Sequence, residues 1–151
     1  MNHHPYLRAY MAGITIPTLF LLVALTIFCV ARFGYQIPVP IERVVIFPMA
    51  VIPNVFGAWN VLHLALRLRS LPHLPLGFHG AILPFILAPT GYIVATWLGV
   101  LSTTDHGFVY FNIVSLSYAH LGLMFSVALI VYYLVWKYLV GFLNAVTGIA
   151  E

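Results

Sequence analysis

The chain has 151 residues, 63% hydrophobic and 6% charged, with six Lys+Arg against three Asp+Glu and a formal net charge of +3. A soluble domain carries about 25% charged residues because its surface must be wetted. Nine charges therefore exclude a soluble enzyme, a nucleic-acid-binding domain and a disordered chain, and leave an integral membrane protein.

The charges divide the chain into apolar intervals. Residues 9–31 and 44–66 each give 23 uncharged positions, 70–104 give 35 and 106–136 give 31. A hydrocarbon core about 30 Å thick needs roughly 20 helical residues at about 1.5 Å each. The first two intervals hold one span apiece. The longer two hold one span plus a connector, since neither reaches the roughly 40 residues of a pair. Four transmembrane helices are predicted, over about 12–31, 44–66, 80–101 and 112–138, within one integral membrane domain of residues 1–151. Backbone groups in lipid must be satisfied within each segment, which makes the expected class all-α. Connectors this short imply an antiparallel four-helix bundle with up-down-up-down order.

The first span, preceded by Arg8, is expected to be retained. Its apolar run exceeds the roughly 7–15 residues of a signal peptide's core, and no A-x-A site follows. Arg8, Arg67, Arg69 and Lys137 fall on one side of the predicted bundle, and Arg32 and Arg43 on the other. That bias places both termini in the cytoplasm, in a plasma membrane of bacterial inner-membrane type. Cys29 is the single cysteine, so no internal disulfide forms.

In the second span, Pro53 removes the bond to the Met49 carbonyl. Asn60, His63 and Arg67 of the same span fall within about 60° of one another at helical spacing. If Arg67 reaches the cytoplasmic interface, His63 lies about 6 Å and Asn60 about 10 Å deeper. Polar groups at depth need partners or a cavity. With His79 at the start of the third span, these residues form a candidate ligand site for an anionic headgroup, a quinone or a cofactor. The competing expectation is plain interhelical hydrogen bonding. In the third span, Pro89 frees the Phe85 carbonyl, with Thr90 as a candidate partner for it. Ala81, Ala88, Ala95 and Gly99 form a small-residue stripe there. In the fourth span, Ser115, Ala119, Gly122 and Ser126 form another, and the two stripes are expected to meet each other or a partner chain.

His120 is expected about 12 Å inside the outer end of the fourth span, below Asp105 and His106 in a second candidate cluster. Seven histidines raise a b-type haem reading on His63, His79, His106 or His120. Two imidazoles at nearly one depth are then required, whereas His63 and His120 differ by about 20 Å along the bundle. Haem is therefore disfavoured. No H-E-x-x-H, paired carboxylate, zinc set or phosphate loop occurs, so no metal and no catalytic group are assigned and an enzyme is not expected. The leading functional expectation is an accessory subunit of a membrane complex. Its partners are membrane lipids and either another membrane protein or copies of itself. A lipid or quinone binder and a haem-bearing electron-transfer anchor are the alternatives.

Overall fold

The computed structural model describes residues 4–37, 41–42, 47–110 and 114–149. It is mostly helical. Helices α1 (Pro5–Cys29), α2 (Phe47–Arg69) and α3 (Leu76–Trp97) are followed by strands β1 (Leu101–Thr104), β2 (Gly107–Tyr110) and β3 (Val114–Ser117), then by α4 (Tyr118–Leu134) and the short α5 (Gly141–Val146). Wider π-helical turns over Val30–Gly34 and Val135–Val140 prolong α1 and α4. Four helical stretches, Pro5–Gly34, Pro48–Arg69, Leu76–Trp97 and Tyr118–Val146, have 30, 22, 22 and 29 residues and are apolar enough to cross a bilayer. The protein is a multi-pass membrane protein.

The expected boundaries shift for local reasons. The predicted starts of the second and fourth spans, Val44 and Asn112, lie outside the described residues. Helix α3 begins four residues before Gly80, because Pro75 is held extended at φ −68°, ψ 133° and Leu76 opens the helix behind it. It ends four residues before Leu101. Gly99, at φ +66°, donates to the Thr96 carbonyl at 3.0 Å, and Val100 donates to that of Ala95 at 2.9 Å. A left-handed glycine past the last turn is a common helix stop, so Gly99 caps α3 rather than extending a packing stripe.

The all-α expectation is corrected at the third connector. Leu101–Thr104, Gly107–Tyr110 and Val114–Ser117 pair as an antiparallel sheet in the order β1-β2-β3, with Thr104 opposite Gly107 and Gly107 opposite Ser117. Asp105 and His106 form the two-residue turn between β1 and β2. A Cβ at Gly107 would sit 1.9 Å from the Leu116 carbonyl oxygen, so only glycine allows the third strand to approach. Phe108 stacks on Tyr92 at 5.3 Å and meets Tyr118 edge-on at 5.8 Å. These aromatic contacts, invisible to a test of helical periodicity, seat the sheet against the ends of α3 and α4.

The chain forms two compact units, Met1–Leu74 with Tyr138–Glu151, and Pro75–Lys137. In the first, Ala9, Ala12, Gly13 and Pro17 form the buried face of α1. This face meets Phe56, Gly57, Asn60 and Leu64 of α2. A Cβ at Gly13 would lie 2.7 Å from the Phe56 carbonyl oxygen and 2.8 Å from the Gly57 Cα, so the backbones nearly touch. Ala9 packs on Leu64 while Gly13 packs on Gly57, which makes this pair antiparallel. In the second unit, Gly77 admits Tyr133 and Gly80 admits Trp136, whose side chain a Cβ at Gly80 would meet at 2.0 Å. Trp136 and Leu83 are fully buried there.

The small-residue stripes expected on α3 and α4 are not where these helices approach. A Cβ added at Gly122, or at Gly91 three residues beyond Ala88 of the α3 stripe, meets nothing within 4 Å. Ala88, Ala119 and Ser126 are exposed, and Ser115 belongs to β3. Close approach comes instead from Gly77 and Gly80, within the first two turns of α3. Thr90 bonds its own i−4 carbonyl, that of Ile86, at 2.8 Å, and does not take up the Phe85 carbonyl freed by Pro89.

Candidate functional site

The deepest polar assembly lies in the first unit and is built on the glycine crossing. Because Gly13 and Gly57 have no side chains, α1 and α2 come close enough for Asn60 to reach backbone across the interface. Asn60 is 1% exposed. Its Nδ2 donates to the Ala9 carbonyl at 2.8 Å and to Asn144 Oδ1, also at 2.8 Å. The Ala9 carbonyl lies within α1, so this bond is a second one on a helical acceptor with a spare lone pair. Asn144 Nδ2 returns a bond to Asn60 Oδ1 at 3.3 Å. Both donors of the Asn60 amide are thus used inside the protein.

Asn144, 4% exposed on α5, is the residue that the sequence reading missed. The available signal is an amide inside the apolar stretch 138–146, which by the cost of burial must find a partner. Beside this pair, His63 is 6% exposed and its Nε2 donates to the Leu74 carbonyl at 3.1 Å. Leu74 lies in the connector after α2, where a carbonyl has no regular partner. The imidazole therefore ties the connector back to the helix. Arg67 lies in the last turn of α2 and is half-buried. Farther along the same interface, the Tyr10 hydroxyl donates to Asn54 Oδ1. Asn54 Nδ2 in turn donates to the Ala50 carbonyl at 2.8 Å.

His79, the fourth member of the expected site, belongs to the second unit. It is 2% exposed, with its ring edge-on to Trp136 at 6.0 Å. Asn60 meets Asn144 in the interior of the first unit, where His63 is also buried, and His79 lies against Trp136 within the second.

The second expected cluster changes in depth. His120 is the third residue of α4 and is exposed, not 12 Å inside a helix, because the strand Val114–Ser117 occupies the sequence expected to be helical. Its Nδ1 is 2.7 Å from Ser117 Oγ, and Ser117 also accepts the His120 backbone N–H at 3.4 Å. This is an N-terminal helix cap, with serine satisfying a backbone donor of the first turn. Asp105 and His106 are exposed in the hairpin turn, where the His106 carbonyl accepts from the Tyr118 N–H at 3.3 Å. Among the described residues, no hydrogen bond or ion pair joins the side chains of Asp105, His106 and His120, and no group of three His, Cys, Asp or Glu is placed to hold a metal ion.

An ion pair joins the end of the first span to the connector before α2. Arg32 Nη1 meets Glu42 Oε1 at 2.9 Å, with both side chains partly exposed. Arg43, grouped with them on the same side in sequence, lies outside the described residues. Comparison with known proteins finds no matching family model, no matching curated protein and no matching solved structure.

Proposed function

We propose that this protein is a non-catalytic accessory subunit of a membrane complex, packing against a partner's transmembrane helix through the small-residue faces of α3 and α4. The observation that carries this reading is a contrast among glycines. Gly13, Gly57, Gly77 and Gly80 are each filled by a neighbour, whereas Gly91 and Gly122 open onto empty space. Small residues in membrane helices allow close helix approach, the main source of association energy there. An open glycine flanked by exposed Ala88 on one helix, and by Ala119 and Ser126 on the other, suits a helix from outside this chain. The polar groups support the same reading. Hydrogen bonds within the chain account for Asn60 and His63 without a ligand.

In this reading the four spans run up-down-up-down in a bacterial inner membrane, with both termini cytoplasmic. The basic residues Arg8, Arg67, Arg69 and Lys137 then share the cytoplasmic face. The test is co-purification from native membranes of wild type, Gly91→Leu and Gly122→Leu. A membrane protein retained by wild type and lost from either variant, with unchanged thermal stability of the isolated chain, is the expected result. Recovery of the wild type alone, as a monomer, overturns the reading.

A further inference from the structure

On the outer side of α2 an amide stands exposed within an apolar span. Asn54 is the seventh residue of the span Pro48–Arg69, about 9 Å inside its end by helical rise, and it is exposed. Two bonds fix its side chain. Gly57 has no side chain, so the ring of Tyr10 from α1 lies over it, where a Cβ would be 2.7 Å from Tyr10 Cδ2. The Tyr10 hydroxyl donates to Asn54 Oδ1, and Asn54 Nδ2 donates to the Ala50 carbonyl at 2.8 Å. An amide has two N–H donors and two acceptor lone pairs. Among the described residues, Asn54 uses one of each within the chain, so one N–H and one lone pair remain.

A polar group left open toward acyl chains is costly, because lipid offers it no partner. Asn60 on the same helix avoids that cost, being buried with both of its donors used inside the first unit. Asn54 has the opposite placement. Ala50 and Ala58 lie about one turn to either side of it, and both are exposed. At about 100° per residue the three fall within about 80° of one another. The short alanine side chains let a second helix come close enough to reach the amide.

We propose that this face of α2 pairs with the same face of a second copy of the chain, the two Asn54 amides exchanging hydrogen bonds. The amide itself selects the occupant. Copies of one membrane protein share an orientation in the bilayer, so a two-fold axis between them runs along the membrane normal and sets equal residues at equal depth. A spare donor and a spare acceptor on one side chain are self-complementary under that axis. A lipid ester or a quinone carbonyl takes the N–H alone and leaves the lone pair open. The pairing involves α2 of the first unit, whereas the subunit reading rests on α3 and α4, so each can fail without the other.

Energy transfer between donor-labelled and acceptor-labelled full-length protein in phosphatidylcholine liposomes, diluted stepwise with lipid, tests the proposal. Wild type should dimerise. Asn54→Leu should weaken the dimer about tenfold, since it removes the donor and the acceptor together. It also takes the acceptor from Tyr10, so Ala58→Leu separates pairing from folding. That variant keeps the Tyr10 and Ala50 bonds of Asn54 and adds bulk only at an exposed position. It should weaken the dimer by a similar factor, with an unchanged midpoint of thermal unfolding in detergent. In a Cys29→Ser background, oxidation should crosslink Ala58→Cys to its own copy. Ile52→Cys, about 160° around the helix from Asn54, should stay monomeric. Energy transfer no greater than that of randomly mixed monomers overturns the proposal. So does an unchanged dimer in both leucine variants, equal crosslinking at the two cysteine positions, or wild type that carries another polypeptide on this face in place of its copy.

Discussion

Asn60 and Asn144 exchange amide hydrogen bonds across 84 positions of sequence, at 2.8 Å in one direction and 3.3 Å in the other. The pair joins the middle of α2 to the C-terminal α5, while the same Asn60 amide reaches α1 through the Ala9 carbonyl. One side chain thus holds three helices of the first unit. Replacing either partner strands a buried polar group, which costs about 1–3 kcal/mol. Asn144→Leu and Asn60→Leu should each lower the midpoint of thermal unfolding in detergent. The double variant should lose clearly less than the sum of the two, because its second substitution removes the group that the first one orphaned. Additive losses would mean that the two amides do not interact.

Gly13 and Gly80 should be the least tolerant glycines of the helices. A methyl group at Gly13 meets the backbone of α2, and one at Gly80 meets Trp136 at 2.0–2.3 Å. Neither the α2 backbone nor a fully buried indole yields without separating the helices. Overpacking of this kind costs about 1–3 kcal/mol or more. Gly13→Ala and Gly80→Ala should unfold earlier than wild type in a denaturant titration. Gly91→Ala and Gly122→Ala should match wild type in the isolated protein. A reversed order would show that the helix crossings lie elsewhere.

His63 anchors the connector after α2 through the Leu74 carbonyl. His63→Leu removes the donor and leaves that carbonyl to water, at about 0.5–1.5 kcal/mol. Hydrogen–deuterium exchange should then quicken in residues 70–74 while α1 and α2 remain protected. Faster exchange throughout the first unit would mean that His63 supports the helix interface itself and not the connector.

Much of this architecture could be read from composition. The intervals between charges located four spans, but the first begins at Pro5 and not near residue 12, and the fourth runs on to Val146 and not to residue 138. The cost of polar groups in an apolar span marks Asn60 and His63 as residues that need partners, and both bond within the first unit. What escaped was everything set by a neighbour distant in sequence. Asn144 looks like any amide near a chain end until α5 folds back beside α2. Small residues recur on α3 and α4 as they do on the packed face of α1, and nothing local says which of these faces a neighbour fills. His120 was misplaced because Val114–Ser117 is as apolar as a helix turn. Its strand conformation comes from pairing with Gly107–Tyr110.

By itself, then, the order of residues determined that this protein lives in a bilayer and crosses it with four helices. Apolar length and scarcity of charge are properties of a segment alone, and a lipid solvent acts on each segment separately. Tertiary structure decided which buried amide meets which carbonyl, which glycines close and which stay open, and that a small sheet joins α3 to α4. Those outcomes depend on distances between segments, and in a membrane they turn on contacts of a few ångströms that no single stretch of sequence contains.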